Sequence, residues 1–284
     1  MYKVVLENKN GDQLTFEQNS AFTIAEIQGL NPPSATINTS EVALMDGAKY
    51  NSAKVNMRQI MIAFAIEYQA AKNRIEVYKV LKSKQWIRFY YIGDYRDVFI
   101  DGYIQSIDIS YFEMKQIVTC DILCPAPYFN NAQKIVNSIQ SIINAFHFPF
   151  ASTESPQLLF GYYEPSPSLT IENNGDVDTG LIIELYARNV ISNPKVFNYI
   201  TAEFIGVNYN MQAGDVITID TRQGHKTITL LRNGIETNIF NYLMKNSTWL
   251  QLPASGATFV YEVGSGQLFN LLVTINHYEM YEGV

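Results

Sequence analysis

The residues that could do chemistry are few and far apart. His147, His225 and His277 are the three histidines. None sits in the H-E-x-x-H spacing that sets two imidazoles on one helix face for zinc, so no metal site is expected. Cys120 and Cys124 stand four residues apart in an alternating stretch. A strand rising ~3.3 Å per residue sets their Cα atoms ~13 Å apart, past the ~7 Å reach of a disulfide. Both read as buried, reduced thiols that behave as small apolar groups. Asp94, Asp97 and Asp101 straddle a turn and a strand. Glycosidase carboxylates must face each other across a substrate, so these three are expected on a solvated edge. Asn173, Asn174, Asp176 and Asp178 offer calcium-type oxygens, but their spacing departs from an EF-hand loop and suits an Asx-rich turn. Gly264-x-Gly266 lacks the third glycine of a dinucleotide fingerprint and lies between strands. There is no G-x-S-x-G elbow and no P-loop. An enzyme is not expected, nor a cofactor.

Trp249 is the one candidate for binding. In Ser247-Thr248-Trp249-Leu250-Gln251-Leu252 the two leucines share a face, and Trp249 shares the other with Ser247 and Gln251. If the leucines face a core, the indole is partly exposed, where it can stack on a sugar or anchor a partner protein. The alternative is that it covers a second apolar layer or a loop.

These residues must be positioned by strands. Residues 98–129 read as two long strands joined near 111–114 and stopped by Pro125 and Pro127, which cannot donate to a ladder. Phe99, Asp101, Tyr103, Gln105, Ile107 and Ile109 alternate onto one face, with Val98, Ile100, Ile104 and Ser106 on the other. The return strand puts Val118, Cys120, Ile122 and Cys124 together, opposite Ile117, Thr119, Asp121 and Leu123. Before this stop, Asn10-Gly11 and Asp46-Gly47 mark hairpins, 55–68 reads as one long strand, and 86–92 as an aromatic one. A helix is expected over 70–82, with Ile75, Tyr78 and Leu81 on its apolar side and lysines near its end. The aromatic strands 86–92 and 98–103 could suggest base stacking, but without interleaved basic residues packing explains them better.

After the stop the pattern changes. Residues 133–145 fit a short helix or a strand. A proline-rich loop runs to Pro167. From 168 on, short strands alternate with turn signals every ~8–12 residues, as in a sandwich. The expected organisation is a first domain over 1–130, antiparallel β with the helix packed on it, a connector and loop over 131–167, and a β-sandwich over 168–284. At 47% apolar, with 19 Tyr and 16 Phe, the chain can fill two cores. Its net charge of −7 argues against holding nucleic acid phosphates or an anionic membrane. No apolar run reaches the ~20 residues of a membrane span, and the polar start does not read as a signal peptide. A chain made and soluble in a cytoplasm is expected.

The run 96–129, with IDGYI at 100–104 and ILCPAPYF at 122–129, resembles the close of the N-terminal domain of siphophage distal tail proteins. FHFPF at 146–150, IENNGDVDTG at 171–180, GDVITIDTRQG at 214–224, STWLQLP at 247–253 and YEMYEGV at 278–284 resemble that family's C-terminal domain. Each motif alone is weak, but together and in order they span nearly the whole chain. The resemblance implies a structural virion protein, the hub of a long non-contractile tail tip, assembled in the host cytoplasm. It implies a hexameric ring of N-terminal domains that continues the tail tube around an axial channel. DNA would pass through that channel without specific binding. It further implies galectin-like β-sandwiches projecting outward to carry receptor-binding proteins. A tail-associated lysin or fibre protein would sit on the other ring face. The alternative is a carbohydrate-binding module that contacts the host envelope itself. A glycan-degrading enzyme ranks last, for want of a carboxylate pair.

Overall fold

The computed structural model describes residues 2–18, 20–41, 43, 46–113, 115–138, 141–143, 162–164 and 168–284. His147, the FHFPF stretch and most of the proline-rich loop lie outside them. The chain forms two compact units, Met1–Gln133 with Met280–Val284, and Lys134–Glu279. The described residues are mainly β, with the expected α-helix in the first unit and a two-sheet sandwich in the second.

The first unit opens with β1 (Lys3–Asn8) and β2 (Gln13–Phe16), joined at the predicted Asn-Gly turn. The Asn8 side-chain oxygen accepts the N–H groups of Asn10 and Asp12, and Gly11 takes a φ of 83° that its missing Cβ allows. There follow β3 (Phe22–Gln28), β4 (Ala35–Glu41), β5 (Ala48–Val55) and β6 (Arg58–Ile66). Beyond them lie α1 (Ala70–Val80), β7 (Trp86–Ile92), β8 (Asp97–Ile109), β9 (Gln116–Cys124) and β10 (Phe129–Asn131). The antiparallel sheet runs β2-β1-β7-β8-β9-β6-β3. Its two edge strands meet through three rings, since Phe16 lies 4.8 Å from Phe64 and 6.1 Å from Phe22. The sheet therefore curls over its own apolar face.

Three expectations for this unit need correction. The strand expected over 55–68 is two, because Asn56 turns to bond Ser34 and Thr36 and breaks the ladder before Arg58. The helix buries Asn73, Val77 and Val80, followed by Leu81, while Ile75 is 59% exposed and Tyr78 points outward. Steps of three drift ~60° back around a 3.6-residue turn, so Ile75 and Leu81 lie far apart on the circumference. In β8 the register shifts between Ile104 and Ser106, so Gln105 is a bulge. Val98, Ile100 and Ile104 face the core, and beyond the bulge Ile107 and Ile109 join them, contrary to strict alternation. The return strand β9 keeps its expected faces, with Val118, Cys120, Ile122 and Cys124 all buried.

In the second unit, two segments of the stretch that fitted a helix or a strand are extended, β11 (Ile135–Ser138) and β12 (Ser141–Ile143), and β13 (Tyr162–Glu164) pairs with β12. The sandwich continues with β14 (Ser168–Ile171), β15 (Thr179–Ala187), β16 (Ile191–Ser192), β17 (Lys195–Asn198) and β18 (Phe204–Gly206). Next come β19 (Asn210–Met211), β20 (Val216–Asp220), β21 (Thr227–Arg232), β22 (Ile235–Asn238) and β23 (Gln251–Leu252). The unit closes with β24 (Ala257–Glu262) and β25 (Leu271–His277). One sheet runs β11-β25-β15-β20-β21-β22 and the other β14-β24-β17-β18. Alternate residues of facing strands fill the space between them: Leu181, Ile183 and Leu185 from β15 meet Phe259 and Tyr261 from β24 in one core. The chain then re-enters the first unit as β26 (Met280–Tyr281), which pairs with β10.

Candidate functional site

Trp249 is held by the residues beside it. Leu250 and Leu252 are buried in the sandwich core, as their alternation predicts, and this turns the indole outward. There it is half-buried and packs on the rim of the core. A 3-10 turn, Phe240–Tyr242, supplies its neighbours. The Phe240 ring stacks on Trp249 with centroids 5.8 Å apart, and the Lys226 ammonium lies 5.3 Å from the indole centroid. On the other side of the turn Tyr242 meets Tyr209 edge-on at 5.1 Å. Arg232 lies 5.7 Å from the Tyr209 ring while its fork grips the Asp215 carboxylate at 2.5 and 2.8 Å. That grip, with an N–H from Gln212, holds the Asp215 carboxyl below its ordinary range.

Much of the indole is already engaged by Phe240 and Lys226. The rings that present open surface are Phe240, 41% exposed, and Tyr242, 48% exposed. The leucine alternation singles out Trp249 in the sequence and gives no hint of these two rings. The signal available was the aromatic pair in Phe240-Asn241-Tyr242 within a polar stretch. The arrangement can stack on an apolar ring face or take a partner's side chains, with one ammonium beside it. It holds no acid, base or nucleophile in working geometry.

The other chemical candidates fall where packing wants them. The Cys120 and Cys124 thiols are free and buried, and burial pushes each up to about 12, so neither is a thiolate at neutral pH. Asp101 forms a two-point ion pair with Arg88 at 2.6 and 3.0 Å across β7 and β8, and Asp97 and Asp94 are exposed. The aromatic strands stack on themselves: Arg88 lies 4.3 Å over Phe99, and Tyr90 sits 6.1 Å from Phe99. Asn173 makes the Asx turn, accepting from Gly175 N–H and donating to the Val177 carbonyl, and Asp178 accepts from Ala254 N–H. Among the described residues no group of three His, Cys, Asp or Glu side chains could hold a metal. His225 is exposed, and His277 is fully buried with neither ring nitrogen hydrogen-bonded. No helix among the described residues is long and apolar enough to cross a membrane.

Known proteins resemble this chain in sequence over part of its length and in fold over nearly all of it. Residues 174–281 match the family described as siphovirus-type tail component, C-terminal domain. No curated protein sequence matches the chain. The crystal structure of the phage SPP1 Dit protein, described as a paradigm of hub adsorption apparatus in phages infecting Gram-positive hosts, superposes with a TM-score of 0.69. The match has 14% identity and covers 98% of each chain. A chain of the phage P2 baseplate, in its activated conformation with Ca, matches with a TM-score of 0.59 and 12% identity, over 100% of this chain and 99% of that one. At such identities the likeness is one of fold.

Proposed function

We propose, for a chain whose residues 174–281 match the siphovirus-type tail component family and whose whole length has the distal tail fold, that it joins the tail tube to the host-adhesion apparatus. The coarse role is that of a phage tail hub, a structural component of the virion. The finer reading is a ring, hexameric by analogy, built from the first unit around an axial channel. The tube protein lies on one side of it, and a lysin or fibre protein on the other. The second unit carries receptor-binding proteins. One observation supports this above the others: the family domain falls within a fold match that covers nearly all of both chains. A net charge of −7 suits a channel that lets DNA slide without holding it.

The experiment is light scattering on the purified full chain, alone and with its tail tube protein, with negative-stain images of the same peaks. A closed ring of about six subunits with a central hole is expected, since a heterologous interface that closes gives a cyclic assembly. Antibody labelling of virions anywhere but the tail tip would sink the reading.

A second reading has the surface at Trp249, Phe240 and Tyr242 contact envelope saccharide directly, and the exposure of two stacked or edge-packed rings favours it. Titration with cell-wall saccharides, following indole fluorescence in a Trp86→Phe background, tests it. No shift or quenching would count against it.

A further inference from the structure

The hairpin of β4 and β5 is amphipathic, yet nothing among the described residues of its own chain covers it. Every described residue from 35 to 54 is exposed. Residues directly opposite in an antiparallel pair share a face. Ala35 opposes Val55, Ile37 opposes Ala53, and, past a bulge, Thr39 opposes Tyr50, which makes one face largely apolar. Thr36 opposes Lys54, Asn38 opposes Ser52 and Ser40 opposes Lys49, which makes the other polar and basic. Ile37 is 63% exposed and Tyr50 62%. A lone two-stranded hairpin is marginal in water, and an apolar face on one is a further cost unless something covers it.

The same unit offers a matching open edge. Strand β3 pairs only with β6; β2 comes near it where Phe16 lies 6.1 Å from Phe22, but no backbone ladder joins the two among the described residues. Its core-side residues Phe22 and Ile24 line a groove of about 530 Å³ with Tyr2 and Phe16, and Glu17, Gln18 and Thr23 form its polar rim. Its opposite side carries Glu26, which is exposed. Strands β3 and β4 are both seven residues long. A hairpin laid along this edge with its apolar face toward the groove puts Lys49 and Lys54 on the Glu26 side. One placement therefore matches apolar to apolar and basic to acidic.

We propose that the β4–β5 hairpin of one copy adds to the β3 edge of a second copy of this chain, laying Ile37 and Tyr50 over the groove beside Phe22 and Ile24. This rests on the hub reading, which requires copies to associate, and it names the segment and its seat. Strand addition supplies backbone hydrogen bonds to an open edge, and the alternate side chains supply specificity.

The test uses the full chain carrying Tyr50→p-benzoylphenylalanine, photolysed at a concentration where the wild type associates, with cross-links mapped by mass spectrometry. Cross-links between copies that land in residues 22–28 or on Tyr2 are expected. In parallel, Ile37→Glu with Tyr50→Glu should weaken association by at least about tenfold, which is ~1.4 kcal/mol. It should leave the melting curve of the monomer unchanged, because neither side chain is buried in its own chain. Cross-links between copies that land elsewhere, or a double variant that still forms rings, would overturn the proposal and leave the hub reading standing. A wild type that gives no contact between copies, alone or with the tube protein, overturns it too. The hub reading is then decided separately, by where antibodies label the virion.

Discussion

At the scale of single residues, the groups that look most reactive in this chain are structural. Arg58 is the clearest case. It is nearly fully buried, and its guanidinium donates to the carbonyls of Gly29, Asn31, Pro127 and Glu282 while lying 4.4 Å from the Phe129 ring. Burial pulls its pKa down, yet an arginine stays charged at any working pH. Five donors in a fixed fork gather the 29–31 loop, the proline turn and residue 282. Arg58→Met should lower stability by about 3 kcal/mol through the unpaired carbonyls, read as a lower urea midpoint at unchanged slope. Arg58→Lys should not rescue it, because a single ammonium cannot span the same partners. His277 makes the second residue-scale prediction. Burial lowers its pKa from an ordinary 6.5, and nearby Glu279 offsets this only in part. A depressed folded value means the unfolded chain binds the extra proton first. The stability tied to neutral His277 is whole above about 6.5 and drains as pH falls from there toward the folded value. The melting temperature of the second unit should fall between pH 7.5 and 5.5, and His277→Met should flatten that fall. An unchanged slope in the variant would show that other groups set it.

At the scale of elements, what could be read in advance was whatever a local period or a turn residue fixes. Asn10-Gly11 and Asp46-Gly47 each sit at a hairpin, and Val118, Cys120, Ile122 and Cys124 share a buried face because a regular strand has a strict period of two. The leucine alternation around Trp249 is legible for the same reason. What could not be read were the places where one residue changes the phase. Nothing about Gln105 marks it as a bulge, since the decision lies in the pairing with β9. The buried face of α1 was illegible too, because its inward row includes Asn73, whose amide is satisfied by the Tyr68 carbonyl at 2.6 Å. Gln105 gives the element-scale prediction. Deleting it should close the ladder, with Ser106 following Ile104 directly opposite Asp121, and so keep Ile107 and Ile109 in the core. The deletion variant should express in soluble form and bind no hydrophobic dye, and Gln105→Ala should behave as the wild type. Dye binding or aggregation by the deletion variant would mean that β8 needs the local bend of the bulge to follow the curl of the sheet.

At the scale of the whole molecule, the order of the chain and the order of its units differ, and no local pattern announces it. Residues 280–284 close the sequence, yet they belong to the unit that opens it. Tyr281 opposes Phe129 and is buried in the first core, with the Arg96 guanidinium 4.2 Å over its ring. Glu282 supplies one of the Arg58 acceptors, and Val284 N–H reaches the Leu30 carbonyl at 3.4 Å. The second unit is thus an insertion between Gln133 and Met280, and the first unit is complete only after the second has been made. Ending the chain after Glu279 should remove the burial of one large side chain, a strand pairing and a partner of a buried charge. Together these are worth roughly 3–5 kcal/mol, a large share of the ~5–15 kcal/mol that holds a domain. The two tryptophans make the consequence separable, because Trp86 lies in the first unit and Trp249 in the second. In urea, the midpoint read from Trp86 in a Trp249→Phe background should fall on truncation. The midpoint read from Trp249 in a Trp86→Phe background should stay where it was. If both midpoints fell together, the units would unfold as one body, and residues 280–284 would stabilise the whole chain instead of the first unit alone.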